Sequence, residues 1–314
     1  MWFISVKAKF NWQLLEVYKL QNTITKTFKS DKKPSFKCLD RGESNAFYLI
    51  EKRLTKVFKE EMESENSIFK YVAPSVVHKM ALFVSGIANR SCSVGIAGET
   101  ASGKSTIAFD IIDTLEAFAE EFSISDLITR INTDDYYYDR SDMVKAAGSF
   151  AEFAKHYDLD VPEALELSLM KKHIEALLDG EDVYLPKYDM SGTAIRKDNV
   201  TLAVPSKIII SEGLFTLTDE VVDAFDFKIY VDVSTDVQKE RFYRRAAERS
   251  LGSSVDEVYE NASSKAKIHI YPTIKKADIV LSGEADRIAY KNFINKILNI
   301  VKEVHVKDVL LYCV

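Results

Sequence analysis

From Ser91 onward the chain alternates short apolar runs with longer stretches of helical periodicity. The runs Cys92–Ala97, Leu127–Asn132, Lys207–Ser211, Phe227–Val233 and Asp278–Ser282 are short and β-rich, which predicts buried strands. Helices are predicted over Lys104–Glu121, Pro162–Leu178 and Thr235–Arg249, the second opened by Pro162 near its first turn. Strand–helix alternation of this kind predicts an α/β core, a mostly parallel sheet with crossover helices on both faces. A last helical pattern runs from Arg287 to Glu303, and for Val304–Cys313 an added strand and a docking tail both stay open.

The first 90 residues read differently. A Lys-rich polar break at Ser30–Pro34 and an acidic break at Glu60–Ser67 set them apart as an appendage. Within it, Leu49, Leu54, Val57 and Phe58 recur at helical spacing, as do Val76, Val77, Met80, Ala81, Val84 and Ile87 after Pro74, so two amphipathic helices are expected. The expected division is an N-terminal, largely helical extension over 1–90, an α/β domain over 91–285, and a C-terminal helix and tail over 286–314.

Composition narrows the function classes. With 42 basic against 48 acidic residues, the formal charge of −6 provides no field to concentrate nucleic acid or anionic lipid. Cys38, Cys92 and Cys313 are too far apart in sequence to form a disulfide framework or a metal cluster, so a reducing cytoplasm is the expected compartment. The apolar start Met1–Ile4 is interrupted by Lys7 and Lys9, and no apolar stretch approaches membrane-spanning length. Neither export nor a membrane anchor is expected.

Chemistry enters with Gly98-Glu99-Thr100-Ala101-Ser102-Gly103-Lys104-Ser105, a complete G-x-x-x-x-G-K-S loop between a predicted strand and a predicted helix. Its four fixed positions would coincide by chance in a chain of this size about one time in a hundred. Glycines in such a loop let backbone N–H groups curl around phosphates, and the helix N-terminus adds partial positive charge. Lys104 reaches the β- and γ-phosphates, and Ser105 offers its hydroxyl to Mg²⁺. This is a phosphate-binding P-loop and implies ATP or another nucleoside triphosphate with Mg²⁺.

Three further segments fit phosphoryl transfer. Asn132-Thr133-Asp134-Asp135-Tyr136-Tyr137-Tyr138-Asp139 begins where a strand ends, the side on which open α/β sheets bind ligands. A carboxylate there can accept a proton from an attacking hydroxyl or help hold Mg²⁺. Lys207–Gly213 ends a buried strand in Glu212-Gly213, which would bring Glu212 to the same sheet edge as Ser105 and the metal. The helix around Arg241, Arg244, Arg245 and Arg249 can be a solvated, salt-bridged surface or a cationic cluster over a triphosphate. The five histidines are scattered and read as surface or partly buried residues.

In this order the segments resemble the uridine kinase, phosphoribulokinase and pantothenate kinase superfamily of P-loop kinases, and most closely uridine–cytidine kinases, over roughly Cys92 to Gly283. The likeness rests on Gly98 to Ser105, Asp134-Asp135-Tyr136-Tyr137, Leu159 to Glu166, Pro186-Lys187-Tyr188-Asp189, Ser211-Glu212-Gly213, Glu240 to Ser250 and Pro272 to Asp278. It implies a kinase that phosphorylates a hydroxyl of a small metabolite. Gly98, Thr100, Ala101, Ser102, Gly103, Lys104, Ser105 and Thr106 would hold the triphosphate together with Arg244 and Arg249. Asp134 would be the general base, with Lys104 and Arg244 as further catalytic groups and Ser105, Asp134 and Glu212 around Mg²⁺. Asp160 would hold sugar hydroxyls, Tyr137 and Tyr188 would line the acceptor pocket, and Arg241 would face the acceptor. Asp160 can also be read as a helix N-cap ahead of Pro162, and Tyr188 as a core aromatic.

The resemblance breaks in two places. Uridine–cytidine kinases follow P-x-Y-D with a histidine that reads the pyrimidine edge, and Met190 to Arg196 contains none, so uridine and cytidine are expected to be poor acceptors. The lid has Arg245 where the family has an acid, and Ser250-Leu251 where it has Gly-Arg. A long extension before the P-loop is a feature of bacterial pantothenate kinases, so pantothenate and phosphosugar kinases stay as alternatives. A nucleotide-binding regulatory module without turnover is the alternative from another class. Homo-oligomerisation is left open.

Overall fold

The computed structural model describes residues 41–86, 88, 90–248 and 255–311. Its centre is a six-stranded sheet in the order β1-β8-β7-β2-β6-β3. The strands are β1 (Phe69–Val72), β2 (Cys92–Gly98), β3 (Ile128–Asn132), β6 (Ile208–Glu212), β7 (Phe227–Asp232) and β8 (Ile279–Ser282). All pairings are parallel except β1 on β8. The near-continuous burial of β2 and β6 follows from their Ile, Val and Ala runs, because a parallel sheet covered on both faces leaves no polar side.

Successive residues feed opposite cores, as the strand period of two requires. Ala97, Ile209, Tyr230 and Val280 pack with Leu167, Met170 and Ile174 of α6 (Leu167–Leu178) on one face. Ile96, Ile210, Val231 and Leu281 pack with Ile107 and Ile112 of α3 (Lys104–Phe122) and Phe293 of α9 (Arg287–Leu311) on the other. Beside this second core, α1 (Arg41–Met62) and α2 (Val76–Val84) join α9 through Ile50, Leu54, Ala81 and Ile300. The two helices expected in the extension are present, and β1 ties that extension into the sheet, with Phe69 paired to Leu281. Among the described residues no helix is long and apolar enough to cross a membrane.

Several boundaries move. The helix expected from Pro162 begins at Leu167; Pro162–Ala164 is a separate 3₁₀ turn, because Leu165 is extended and forms a β-bridge with Tyr137. The helix expected over Arg287–Glu303 is present and continues from Val304 to Leu311, so that part of the segment open between strand and tail is helical, while Tyr312 and Cys313 lie outside the described residues. Not expected at all were α4 (Ser141–Ala147), α5 (Phe150–Ala154), the antiparallel hairpin β4 (Val183–Tyr188) and β5 (Arg196–Ala203), and α8 (Val255–His269), which follows α7 (Thr235–Glu248).

Candidate active site

The loop Gly98–Ser105 leaves the C-terminal end of β2, which lies between β6 and β7 at the switch in strand order. Its backbone is shaped by Ala101 and Gly103 in the left-handed region, φ 60° and 95°, and α3 starts at Lys104. A left-handed alanine costs energy, so the surrounding contacts must hold it there. A methyl group on Gly283, just beyond β8, would stand 2.2 Å from the Ser102 carbonyl, so only glycine lets that strand end back the loop this closely. Ser102 Oγ is buried and has no hydrogen-bond partner among the described residues. Thr106 is exposed in the first turn of α3.

Strand register brings the carboxylates to the same edge. Glu212 pairs with Ile96 of β2 and with Asn132 of β3, two residues before Asp134. Gly213 follows, where a Cβ would meet the Thr133 Cβ at 2.4 Å, so the two strand ends approach as closely as glycine permits. Thr133 is buried there, its hydroxyl 3.0 Å from Thr216 Oγ1. Ser105 Oγ donates to Glu212 Oε2 at 2.9 Å, and Arg130 donates to Glu212 Oε1 at 3.0 Å while stacking 4.4 Å over the Phe109 ring. Asp134 lies in the 3₁₀ turn Thr133–Tyr136, capped by the Asn132 side chain. Burial pushes its carboxyl above the usual range; Lys104 pulls it down, and Glu212 and Asp135 push it further up. Burial likewise lowers the Lys104 ammonium, with Asp134 and Glu212 opposing the shift. Lys104, Ser105, Asp134 and Glu212 thus share one electrostatic site.

Those oxygens suit a hard cation. Among the described residues no three His, Cys, Asp or Glu side chains converge into an all-protein cage. Mg²⁺ does not need one, because it keeps several waters and is held by one or two carboxylates and the substrate phosphates.

Asp135, next in sequence, faces elsewhere. It accepts the Tyr188 amide at 3.2 Å and pairs with Lys187 at 3.1 Å, which fastens the β4–β5 hairpin to the turn that carries Asp134. The Tyr188 ring packs 5.2 Å from that of Tyr137, whose hydroxyl donates to the Leu159 carbonyl at 3.2 Å. Burial first, then the charges of Asp134 and Asp160, hold the Tyr137 phenol well above its ordinary value. Asp160 is half-buried and its carboxyl is raised mainly by burial. It caps no helix: the following 3₁₀ turn has Val161 at its N-cap position and no side-chain cap.

The arginine helix holds the clearest differences from sequence expectation. Gln238, Arg241 and Arg245 of α7 share the face toward the loop, at spacings that bring residues onto one side of a helix. Gln238 donates to the Thr100 carbonyl at 3.1 Å, Arg241 to the carbonyls of Gly283 at 2.9 Å and Ser102 at 3.4 Å, and Arg245 to Thr100 Oγ1 at 2.7 Å. Arg241 therefore lies on the β8 side of the loop and is not brought to Tyr137 and Tyr188. Arg244, expected at the triphosphate, is exposed and makes no hydrogen bond or ion pair among the described residues, because its position turns it away from the face that touches the loop. Arg245, read from the sequence only as one of the arginine cluster, is the one that reaches the loop beside Arg241. Arg249 lies outside the described residues.

The chain is similar to known proteins over this region. The model of the phosphoribulokinase / uridine kinase family matches residues 93–287. A uridine kinase of Halobacterium salinarum is 34% identical over 203 residues, covering 63% of this chain and 83% of its own. One from Clostridium novyi is 33% identical over 221 residues, covering 68% of this chain and 98% of its own. Among solved structures, the phosphoribulokinase of Rhodobacter spheroides overlaps 62% of this chain and 70% of its own, at 16% identity and a TM-score of 0.44. A match that extends from β2 to the start of α9 and includes every segment of the site means that the chain belongs to the phosphoribulokinase / uridine kinase family of kinases, phosphotransferases with a hydroxyl acceptor.

Proposed function

We propose that the protein transfers the γ-phosphoryl group of a nucleoside triphosphate, ATP in the simplest case, to a hydroxyl of a small sugar-bearing metabolite, with Asp134 as general base. The observation that carries this reading is the shared site of Lys104, Ser105, Asp134 and Glu212 at the ends of three neighbouring strands. Lys104 and the loop amides bind the phosphates, and Arg245, reaching the loop through Thr100, lies where it can neutralise charge on the transferring group. Ser105 and Glu212 would hold Mg²⁺, which when bound supplies charge neutralisation between the phosphates. Asp134, whose carboxyl burial raises and Lys104 draws back down, takes the acceptor's proton in its ionised form. Asp160 orients acceptor hydroxyls, and Tyr137 and Tyr188 form the apolar wall of the acceptor pocket.

The test is acceptor-dependent ADP formation by three variants, each checked for fold by circular dichroism. Lys104→Ala is expected to retain less than about a tenth of kcat, since one such contact is worth several kcal/mol. Asp134→Asn is expected to lose about 10²–10⁴-fold, the usual cost of a missing general base. Asp135→Asn, which loses only the hairpin tether, is expected to stay within roughly tenfold in kcat while unfolding at a lower temperature. If Asp135→Asn were the more damaging change, the base assignment would be wrong. Triphosphate binding without ADP formation against any acceptor would favour a regulatory module.

A further inference from the structure

Arg140 stands between the tyrosine run and α4, its guanidinium 5.2 Å from the ring centres of both Tyr138 and Tyr157. Its Nε donates to Tyr157 Oη at 3.0 Å. Its terminal nitrogens make no hydrogen bond or ion pair among the described residues, although the side chain is only partly exposed. The adjacent carboxylate makes no ion pair with it among the described residues: Asp139 accepts from the amide and hydroxyl of Ser141 and from the Arg196 amide. Arg196 flanks Tyr138 at 5.9 Å and is spent through Nη2 on Glu166 and through Nε on Asp198. Its Nη1 is buried without a partner among the described residues.

The position of this cation matters. Arg196 is the register partner of Tyr188 in the hairpin. Burial first, then the charges of Asp139 and Asp189, raise the Tyr188 phenol, and Arg140 draws it down; Tyr188 packs on Tyr137, which in turn feels Asp134. The contacts thus run from Tyr137 through Tyr188 and the hairpin to Arg140, whose amide donates to the Ala194 carbonyl at 2.9 Å. A guanidinium stacked between two tyrosines is fixed in plane with its outer edge free to donate, the geometry that suits carboxylate and phosphate. A neutral base edge would return a hydrogen bond but leave the partly desolvated charge uncompensated.

We infer that the acceptor is an alcohol that also bears an anionic group, a phosphate or a carboxylate, bound by Arg140 with Arg196 Nη1 as a second donor. This rests on the acceptor pocket of the proposed function. It is tested with matched pairs, ribose against ribose 5-phosphate and glycerol against glycerate, with uridine as the neutral nucleoside. Each is titrated calorimetrically into the full chain with Mg²⁺ and a non-hydrolysable ATP analogue. In at least one pair the anionic member is expected to bind at least tenfold more tightly than its neutral partner and than uridine, and the pair that responds distinguishes phosphate from carboxylate. Arg140→Gln is expected to remove that preference, a loss of about 10- to 100-fold for one charge-assisted contact, with analogue binding on the same sample reporting a folded protein. Absence of any anion preference in the wild-type chain, survival of the preference in Arg140→Gln, or tightest binding of uridine would each overturn the inference. Failure of the underlying function reads out separately, as Lys104→Ala that binds the analogue and turns over as well as wild type.

Discussion

Asp134 and Lys104 each hold a charge that their surroundings disfavour, and the linkage between titration and folding turns this into a measurable cost. A carboxyl whose folded pKa lies above its ordinary 3.8 contributes stability that is complete below the unfolded value and lost as pH rises through the folded one. An ionised Asp134 therefore weakens the fold, in the site where the proposed mechanism needs its charge. Asp134→Asn is expected to raise Tm at pH 7 to 8, with the gain shrinking as acid protonates the wild-type carboxyl. Thermal unfolding across pH checks this, and a gain of equal size at pH 4 and pH 8 would rule it out. With Asp134 as the proposed base, the same shift is expected to put the acid limb of kcat/KM above the ordinary carboxylate range, since a base works only when ionised.

At the scale of elements, the rotation of α7 decides which arginine reaches the phosphate loop. Arg245→Ala is expected to lower kcat by roughly 10²-fold or more, the range for a lost contact to the transferring group, and Arg244→Ala to leave it within about threefold. Steady-state kcat at saturating substrates distinguishes them, and the reverse order would mean that the opposite face of α7 reaches the loop. Sequence could not choose between the two, because four arginines from 241 to 249 cover more than one helix face, and only packing of Gln238 against Thr100 and Tyr259 fixes the rotation. The phosphate loop and the five parallel strands were legible for the opposite reason: each is a contiguous run whose residues alone determine its form. The β4–β5 hairpin was not legible, since most of β5 is exposed and Pro186 within β4 argues against a strand. Nor was α8, which buries only Tyr259 and Ala266. β1 is four residues long with Lys70 and Tyr71 exposed, and nothing but β8 makes it a strand.

The whole molecule extends its core beyond the segment shared with its relatives. Phe58 of α1, Phe69 of β1 and Phe293 of α9 meet as three rings with centres 4.9–5.4 Å apart, and Leu54 is fully buried among α1, α2 and α9. Leu54→Ala is expected to cost about 2–5 kcal/mol in urea unfolding, the usual range for a buried leucine, with kcat nearly unchanged in the surviving folded fraction. A loss below about 1 kcal/mol would mean that this helical layer folds independently of the sheet. The pairing of β1 with β8 bears on how such a protein can be shortened. The Clostridium relative is matched across 98% of its length by 68% of this chain, which invites trimming at Ser91. Such a truncation would strip the hydrogen-bonding groups of β8 and the apolar side of α9 together, leaving a sticky flank one residue from the glycine that backs the phosphate loop. What the comparison leaves unmatched is thus what covers the β8 edge and the α9 flank, and the shortened chain is expected to self-associate, which sedimentation would detect.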